Sequence, residues 1–280
     1  MKLLRIASVL LFTAALVLFI FFKLNTQRDS TVPVLNCDTQ LIEVKVDYSE
    51  EELLSHLSAS DEKDGDLSDK IVVEGITPFI KKGVSRVSFA VCDSDKNVAR
   101  KTVDIKFTDY HSPRFTSSSP LIFSESATVV RFLNFVSAED MFDGSLDGRA
   151  MVVRSEFVSA QAGVYPVTFR VSNLKGDVVE LTLNAVVREH RLDSAVEITL
   201  DNYIHYVKLG ETPDYISFVK KIGLSAALVR QGLVYGVDDV VVDTSELVPD
   251  KEGIYDIWYR IFDEEGNEIG STRLFLVCEK

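Results

Sequence analysis

The pattern of apolar and polar positions changes character once along the chain. From Ile6 to Phe22 the residues are uncharged and almost wholly apolar, interrupted only by Ser8 and Thr13, with Lys2, Arg5 and Lys23 at the flanks. Such a run predicts a helix at the short end of the about 17 to 25 residues that cross a bilayer. The run closes on Leu16 to Phe22, all bulky, which offers no small-residue exit for signal peptidase, so an uncleaved signal anchor is expected rather than a removed leader. Beyond it the period falls to two. In Gly253 to Phe262, Tyr255, Ile257, Tyr259 and Ile261 share one face and Ile254, Asp256, Trp258, Arg260 and Phe262 the other, so the first face is the candidate core.

Alternation of this kind predicts strands in three successive stretches. The first has Leu41 to Val46, Ile71 to Glu74, Val84 to Cys92 and Ala99 to Phe107. The second has Thr128 to Phe132, Met151 to Val153, Val164 to Val171 and Val178 to Val187. The third has Ala195 to Leu200, Tyr203 to Leu209, Val240 to Val242, Ile254 to Phe262 and Ser271 to Cys278. Between strands of the third stretch, the apolar spacing of Tyr215 to Arg230 predicts a short helix. Each stretch ends in the same hairpin: a Gly opens one strand, a polar turn follows, and a last strand closes the module. The turns are Asp93 to Asn97, Asn173 to Asp177 and Asp263 to Asn267.

A second repeat lies upstream of the hairpins. Ser58-Ala59-Ser60-Asp61-Glu62-Lys63-Asp64-Gly65-Asp66-Leu67 returns as Ser137-Ala138-Glu139-Asp140-Met141-Phe142-Asp143-Gly144-Ser145-Leu146. Repetition at a domain-sized interval means tandem modules rather than one large enzyme core. The expected organisation is an anchor over residues 1–24, a linker over 25–30, and three β-sandwich modules over 31–110, 112–189 and 191–280. The third is divergent, because it keeps the hairpin without an acidic glycine motif before it.

Asp61-Glu62-Lys63-Asp64-Gly65-Asp66-Leu67, the strand-opening Gly83 and Val91-Cys92-Asp93-Ser94-Asp95-Lys96-Asn97-Val98-Ala99 together resemble the bacterial Ig-like, cadherin-like repeat family. The resemblance covers Leu41 to Asp109 well, Val130 to Val187 in part, and only the final hairpin of the third stretch. It implies an all-β chain of three tandem Ig-like sandwiches on a Gram-positive cell surface. Three positions depart from the family pattern: Lys96 stands in place of Gly, Asn173 in place of Asp, and Ser145 in place of the acidic residue that is Asp66 in the first copy.

Charge and chemistry narrow the function classes. The chain carries 43 acidic against 30 basic residues, a net charge of −13, which disfavours nucleic acid as a partner and permits bound cations, though acidity also serves solubility at a cell surface. Asp61, Asp64, Asp66, Asp93 and Asp95 offer the hard oxygen ligands that calcium takes. The same residues also suit plain turn chemistry, with Asp carboxylates capping nearby amides. Three cysteines, Cys37, Cys92 and Cys278, make no disulfide scaffold; Cys37 and Cys92 either pair or remain buried thiols. The four histidines are widely separated, and no G-x-S-x-G, H-E-x-x-H or phosphate loop occurs, so catalysis is not expected and no cofactor is required.

Two functions remain open. One is a membrane-anchored extracellular protein that binds a surface glycan, a wall polymer or a protein through the third module, where Tyr203, Tyr206, Tyr215, Tyr235, Tyr255 and Tyr259 are concentrated. The other is a non-binding stalk or envelope scaffold.

Overall fold

The computed structural model describes residues 2–25, 30–125, 130–189 and 195–280. One apolar helix, Lys2–Asn25, precedes a chain that is otherwise almost entirely strand and turn. Its segment Ile6–Lys23 has a mean hydropathy of 2.4 and is nowhere buried against protein, so the helix is long and apolar enough to cross a membrane. A helix apolar on every side has no polar face to offer water.

Residues 30–109 form two facing sheets. The first strand is split between them. Val34–Cys37 pairs antiparallel with Leu57–Asp61, and after a short break Leu41–Val44 runs parallel to Val98–Phe107 in the other sheet. That second sheet continues through Val84–Cys92 to Val72–Ile76, with a bulge between Val73 and Gly75. Alternate residues of these strands are buried: Val87, Phe89 and Val91 on one, Val103, Ile105 and Phe107 on its neighbour, Leu57 and Ala59 opposite. Each large apolar side chain so enclosed contributes about 1.5–3 kcal/mol. The chain passes from Leu41–Val44 to Leu57–Asp61 through a short helix, Glu50–Leu54, whose first turn is three glutamates and whose N-cap Ser49 accepts the Glu52 amide.

Residues 110–280 form one compact unit containing two more pairs of sheets. The split first strand recurs in each. Arg114–Ser117 pairs with Val136–Asp140, while Ile122–Ser124 runs parallel to Val178–Arg188. Likewise Val196–Leu200 pairs with Val219–Leu224, while Ile204–Lys208 runs parallel to Glu268–Glu279. The four-stranded sheet therefore has the same topology three times, while the smaller sheet, three-stranded in the first two modules, has two strands in the divergent third.

Several expectations change in detail. Phe132–Asn134 is a 3-10 turn rather than the end of a strand, and Thr128 lies outside the described residues. The Tyr215 to Arg230 run divides into a 3-10 turn at Tyr215–Phe218, the strand Val219–Leu224 and a five-residue helix, Ala226–Arg230, capped by Ser225. Strand pairing with Val196–Leu200 overrides the helical spacing there. The repeated acidic motif begins as a strand in both copies, Leu57–Asp61 and Val136–Asp140. The three cysteines are free thiols; Cys37 and Cys92 lie in different sheets, and Cys92 is exposed rather than buried. The join expected near residues 189–191 lies mostly outside the described residues.

Packing across that join is continuous. Ile204 and Phe275, from strands of the third module, sit in the core of the second with Phe115, Phe169 and Leu183. Leu274 and Leu276 point the other way, into the third module's own core with Ile257, Tyr259 and Ile261. One strand thus buries both faces. Between them Arg273 is fully buried, its relative exposure 0%. Its guanidinium donates to the carbonyls of Pro120 and Asn184 and, at 3.0 Å, to Asp256 Oδ2. The face of Trp258 lies 5.6 Å away. Burial pushes the Asp256 carboxyl up and the Arg273 guanidinium down, each against the attraction of the other. A pair of this kind adds little net stability, yet breaking it leaves a charge and several carbonyls unmatched. Arg273→Ala is accordingly expected to lower the stability of the 110–280 unit by about 3–5 kcal/mol in urea unfolding. A loss within the range of an ordinary surface substitution, under about 0.5 kcal/mol, would contradict this role.

Candidate metal centre

Two loops meet at one end of the first module. Asp61 closes the strand Leu57–Asp61, and its Oδ1 accepts the backbone amides of Lys63 at 2.9 Å and Asp64 at 3.1 Å. This is an Asx turn, and the chain reverses at Gly65 with φ +74°, a conformation that glycine adopts without a Cβ penalty. The second loop is the hairpin tip Asp93 to Asn97. There the Asp93 carboxylate accepts the Asn97 amide at 2.8 Å and the Asn97 side-chain amide at 2.7 Å. Lys96 takes φ +73° at this tip, the conformation that Gly176 and Gly266 adopt in the other two. The unusual residue noted in the sequence therefore occupies a left-handed position that favours glycine.

Asp64 ties the loops together. Its Oδ2 accepts the Ser94 amide at 2.8 Å, and that bond holds the Asp64 carboxyl below the usual carboxylate range. As a result Asp61, Asp64 and Asp93 each present a carboxylate oxygen, all within 4.8 Å of one another. The other two acidic candidates are occupied elsewhere. Asp66 accepts the amide and the hydroxyl of Ser68, which lower its pKa, and Asp95 pairs with Lys63. Within the group, Asp61 is 9% exposed and its Oδ2 is buried with no hydrogen-bond partner.

The second module repeats the loops with one decisive change. Asp140 Oδ1 accepts the amides of Phe142 and Asp143 as Asp61 does those of Lys63 and Asp64, and Asp143 accepts the Leu174 amide as Asp64 does that of Ser94. At the hairpin tip, however, Asn173 stands where the first module has Asp93. Its side-chain amide donates to Asp140 Oδ2 at 3.0 Å and to the Tyr110 hydroxyl at 3.0 Å. Asp177, in the place of Asn97, accepts the Tyr110 hydroxyl at 2.8 Å and the Ser112 hydroxyl at 2.6 Å. Burial, reinforced by Asp177, pushes the Tyr110 phenol far up, so it remains a donor. The oxygen equivalent to Asp61 Oδ2, buried and bare in the first module, has a donor here. The third module retains only the tip, with Asn267 donating through its backbone and side-chain amides to a half-buried Asp263.

Other candidates resolve into packing. Tyr203 and Tyr259 are buried, and Tyr206 accepts the Phe115 amide within the core. The third module's tyrosines do not form an open aromatic surface. His56 contacts Asp38, and His205 stacks on Phe218, its pKa lowered by burial. His190 lies outside the described residues.

No family model matches the chain. A curated relative, an uncharacterized 81.3 kDa protein of Acholeplasma phage L2, is 23% identical over 230 residues, covering 79% of this chain and 30% of its own length. The chain thus spans about a third of that relative. Among solved structures, CBM51-2 with GlcNAc and INT domains from Clostridium perfringens ZmpB is 16% identical over 55% of this chain and 26% of its own, at a TM-score of 0.23. Mouse Cadherin-23 EC22-24 is 11% identical over 89% of this chain and 99% of its own, at a TM-score of 0.21. Superposition at this level carries no weight beside the strand pairing and cores described above.

The amide of Asn173 makes a further prediction about the second module. Asn173→Ala leaves Asp140 Oδ2 buried without a donor and is expected to cost about 1–3 kcal/mol in urea unfolding. An unchanged midpoint would mean that water satisfies that oxygen.

Proposed function

We propose that this chain is a membrane-anchored surface protein. Its Lys2–Asn25 helix spans the membrane, and its three Ig-like modules, over residues 31–110, 112–189 and 191–280, lie outside the cell and bind a partner without catalysis. Support for the anchor comes from the helix itself, exposed and apolar from Ile6 to Lys23. Exported β-rich modules after such a helix fit an orientation with the amino end inside.

The observation that carries binding is the apolar exposure of the third module. Val229, Leu233, Val234, Val237 and Val241 are all solvent-exposed, Val234 at 84%. They fall on the Ala226–Arg230 helix, the loop and 3-10 turn after it and the start of the strand Val241–Asp243, in the part of this module that has no counterpart of the acidic motif. Exposed apolar side chains gathered in one segment suit a protein partner better than a glycan, because a polysaccharide presents mostly hydroxyl groups. None of the six tyrosines of this module is fully exposed, which leaves less aromatic surface for sugar stacking.

A stalk is the second reading, and the continuous core of residues 110–280 favours it, since a stiff unit projects well. Adhesion of proteoliposomes displaying the full chain to bacterial envelopes separates the two. Binding through the third module predicts that Val229→Asp with Val234→Asp lowers retention at least tenfold while leaving the melting temperature unchanged. Retention equal to that of vesicles carrying the Lys2–Asn25 helix alone would move the reading to a stalk.

A further inference from the structure

We propose that the first module holds one calcium ion between Asp61, Asp64 and Asp93, and that in the second module the Asn173 amide takes the place of that ion.

The inference begins with an imbalance. Three carboxylates bring oxygens within 4.8 Å of one another, and one of them, Asp61 Oδ2, is buried without a partner. A buried acceptor with no donor costs free energy, more so when it carries charge, and neighbouring carboxylates add repulsion. Protein backbones do not keep such an arrangement without compensation. The two amides on Asp61 Oδ1 and the Asn97 amides on Asp93 orient these carboxylates but leave Asp61 Oδ2 bare.

The second module shows what belongs there. It has the same strand end, the same Asx turn and the same hairpin tip, yet the oxygen equivalent to Asp61 Oδ2 receives a donor, Asn173 Nδ2, at 3.0 Å. Asn and Asp have the same shape. Exchanging the amide for a carboxylate at this position removes one positive end of a dipole and adds a negative charge. A cation restores both at once. The two modules are thus alternative solutions to one problem, closure of the two loops over a buried aspartate.

The chemistry selects the ion. The three ligand groups named are carboxylates, with no thiolate or imidazole among them, which points to a hard cation. Oxygens around one calcium at about 2.3–2.6 Å lie at most about 4.6–5.2 Å apart, and the observed spread falls within this limit. Magnesium dehydrates reluctantly and is seldom held by an all-protein cage, so it is the weaker fit to a group of three carboxylates.

Calcium titration of the full chain in detergent micelles, after chelator treatment, tests this by calorimetry and by thermal melting. The wild-type chain is expected to bind one calcium and to melt roughly 5 °C or more higher with saturating ion than in chelator. Asp93→Asn is expected to weaken calcium binding at least tenfold and to melt higher than wild type in chelator, because its amide reaches Asp61 Oδ2. Asp64→Asn, at a less enclosed ligand, should weaken binding without that gain, and stands as the second variant if Asp93→Asn does not fold. Asn173→Asp should lower the melting temperature in chelator and recover it with calcium. No heat and no shift for the wild-type chain, or binding that survives both Asp93→Asn and Asp64→Asn, would overturn the proposal.

Discussion

The long antiparallel hairpin that ends each module is the element on which the rest depends. Val84–Cys92 with Val98–Phe107, Gly163–Ser172 with Val178–Arg188, and Gly253–Phe262 with Glu268–Glu279 are each in register over nearly their whole length. Such a pair fixes which residues face inward, because a one-residue slip would turn every core side chain to solvent. The split first strand then has a fixed edge to join in parallel, and the opposite edge takes a third strand. The tip of the hairpin is held at a defined height, where it meets the acidic turn.

That meeting sets the chemistry of the first module. A buried aspartate is retained in two copies of the motif, and each copy must answer for its second oxygen. In the second module the answer is built into the protein as Asn173, Tyr110 and Asp177, a network complete in itself. In the first it is left open, and three acids converge. The same scaffold therefore supports a ligand-dependent and a ligand-independent closure, and one side chain distinguishes them. In the third module the tip is released from this duty, and the space before it is given to the Ala226–Arg230 helix and its exposed apolar neighbours.

Much of this was legible in the chain. Alternation located the hairpins to within three residues and placed Ile257, Tyr259 and Ile261 in the core, because a strand with one buried face records that face at every second position. The acidic motif was visible as a repeat, and Asn173 as a departure within it. What could not be read was the consequence of that departure, since it depends on contact between loops some thirty residues apart. The short strands Val34–Cys37, Arg114–Ser117 and Ile122–Ser124 were also missed, being too brief to show a period. Arg273 gave no signal as a buried residue. In a strand a charged side chain is ordinarily read as facing water, and here the module behind it supplies the carbonyls that accept it.

A crystal structure of the full chain grown with calcium, with anomalous scattering measured at a wavelength where calcium contributes, tests the central claim most directly. The account predicts a single strong anomalous peak within coordination distance of Asp61, Asp64 and Asp93, and none between Asp140 and Asn173. A peak at the second pair of loops, or a water molecule or an amide donor on Asp61 Oδ2 with no anomalous signal, would contradict it.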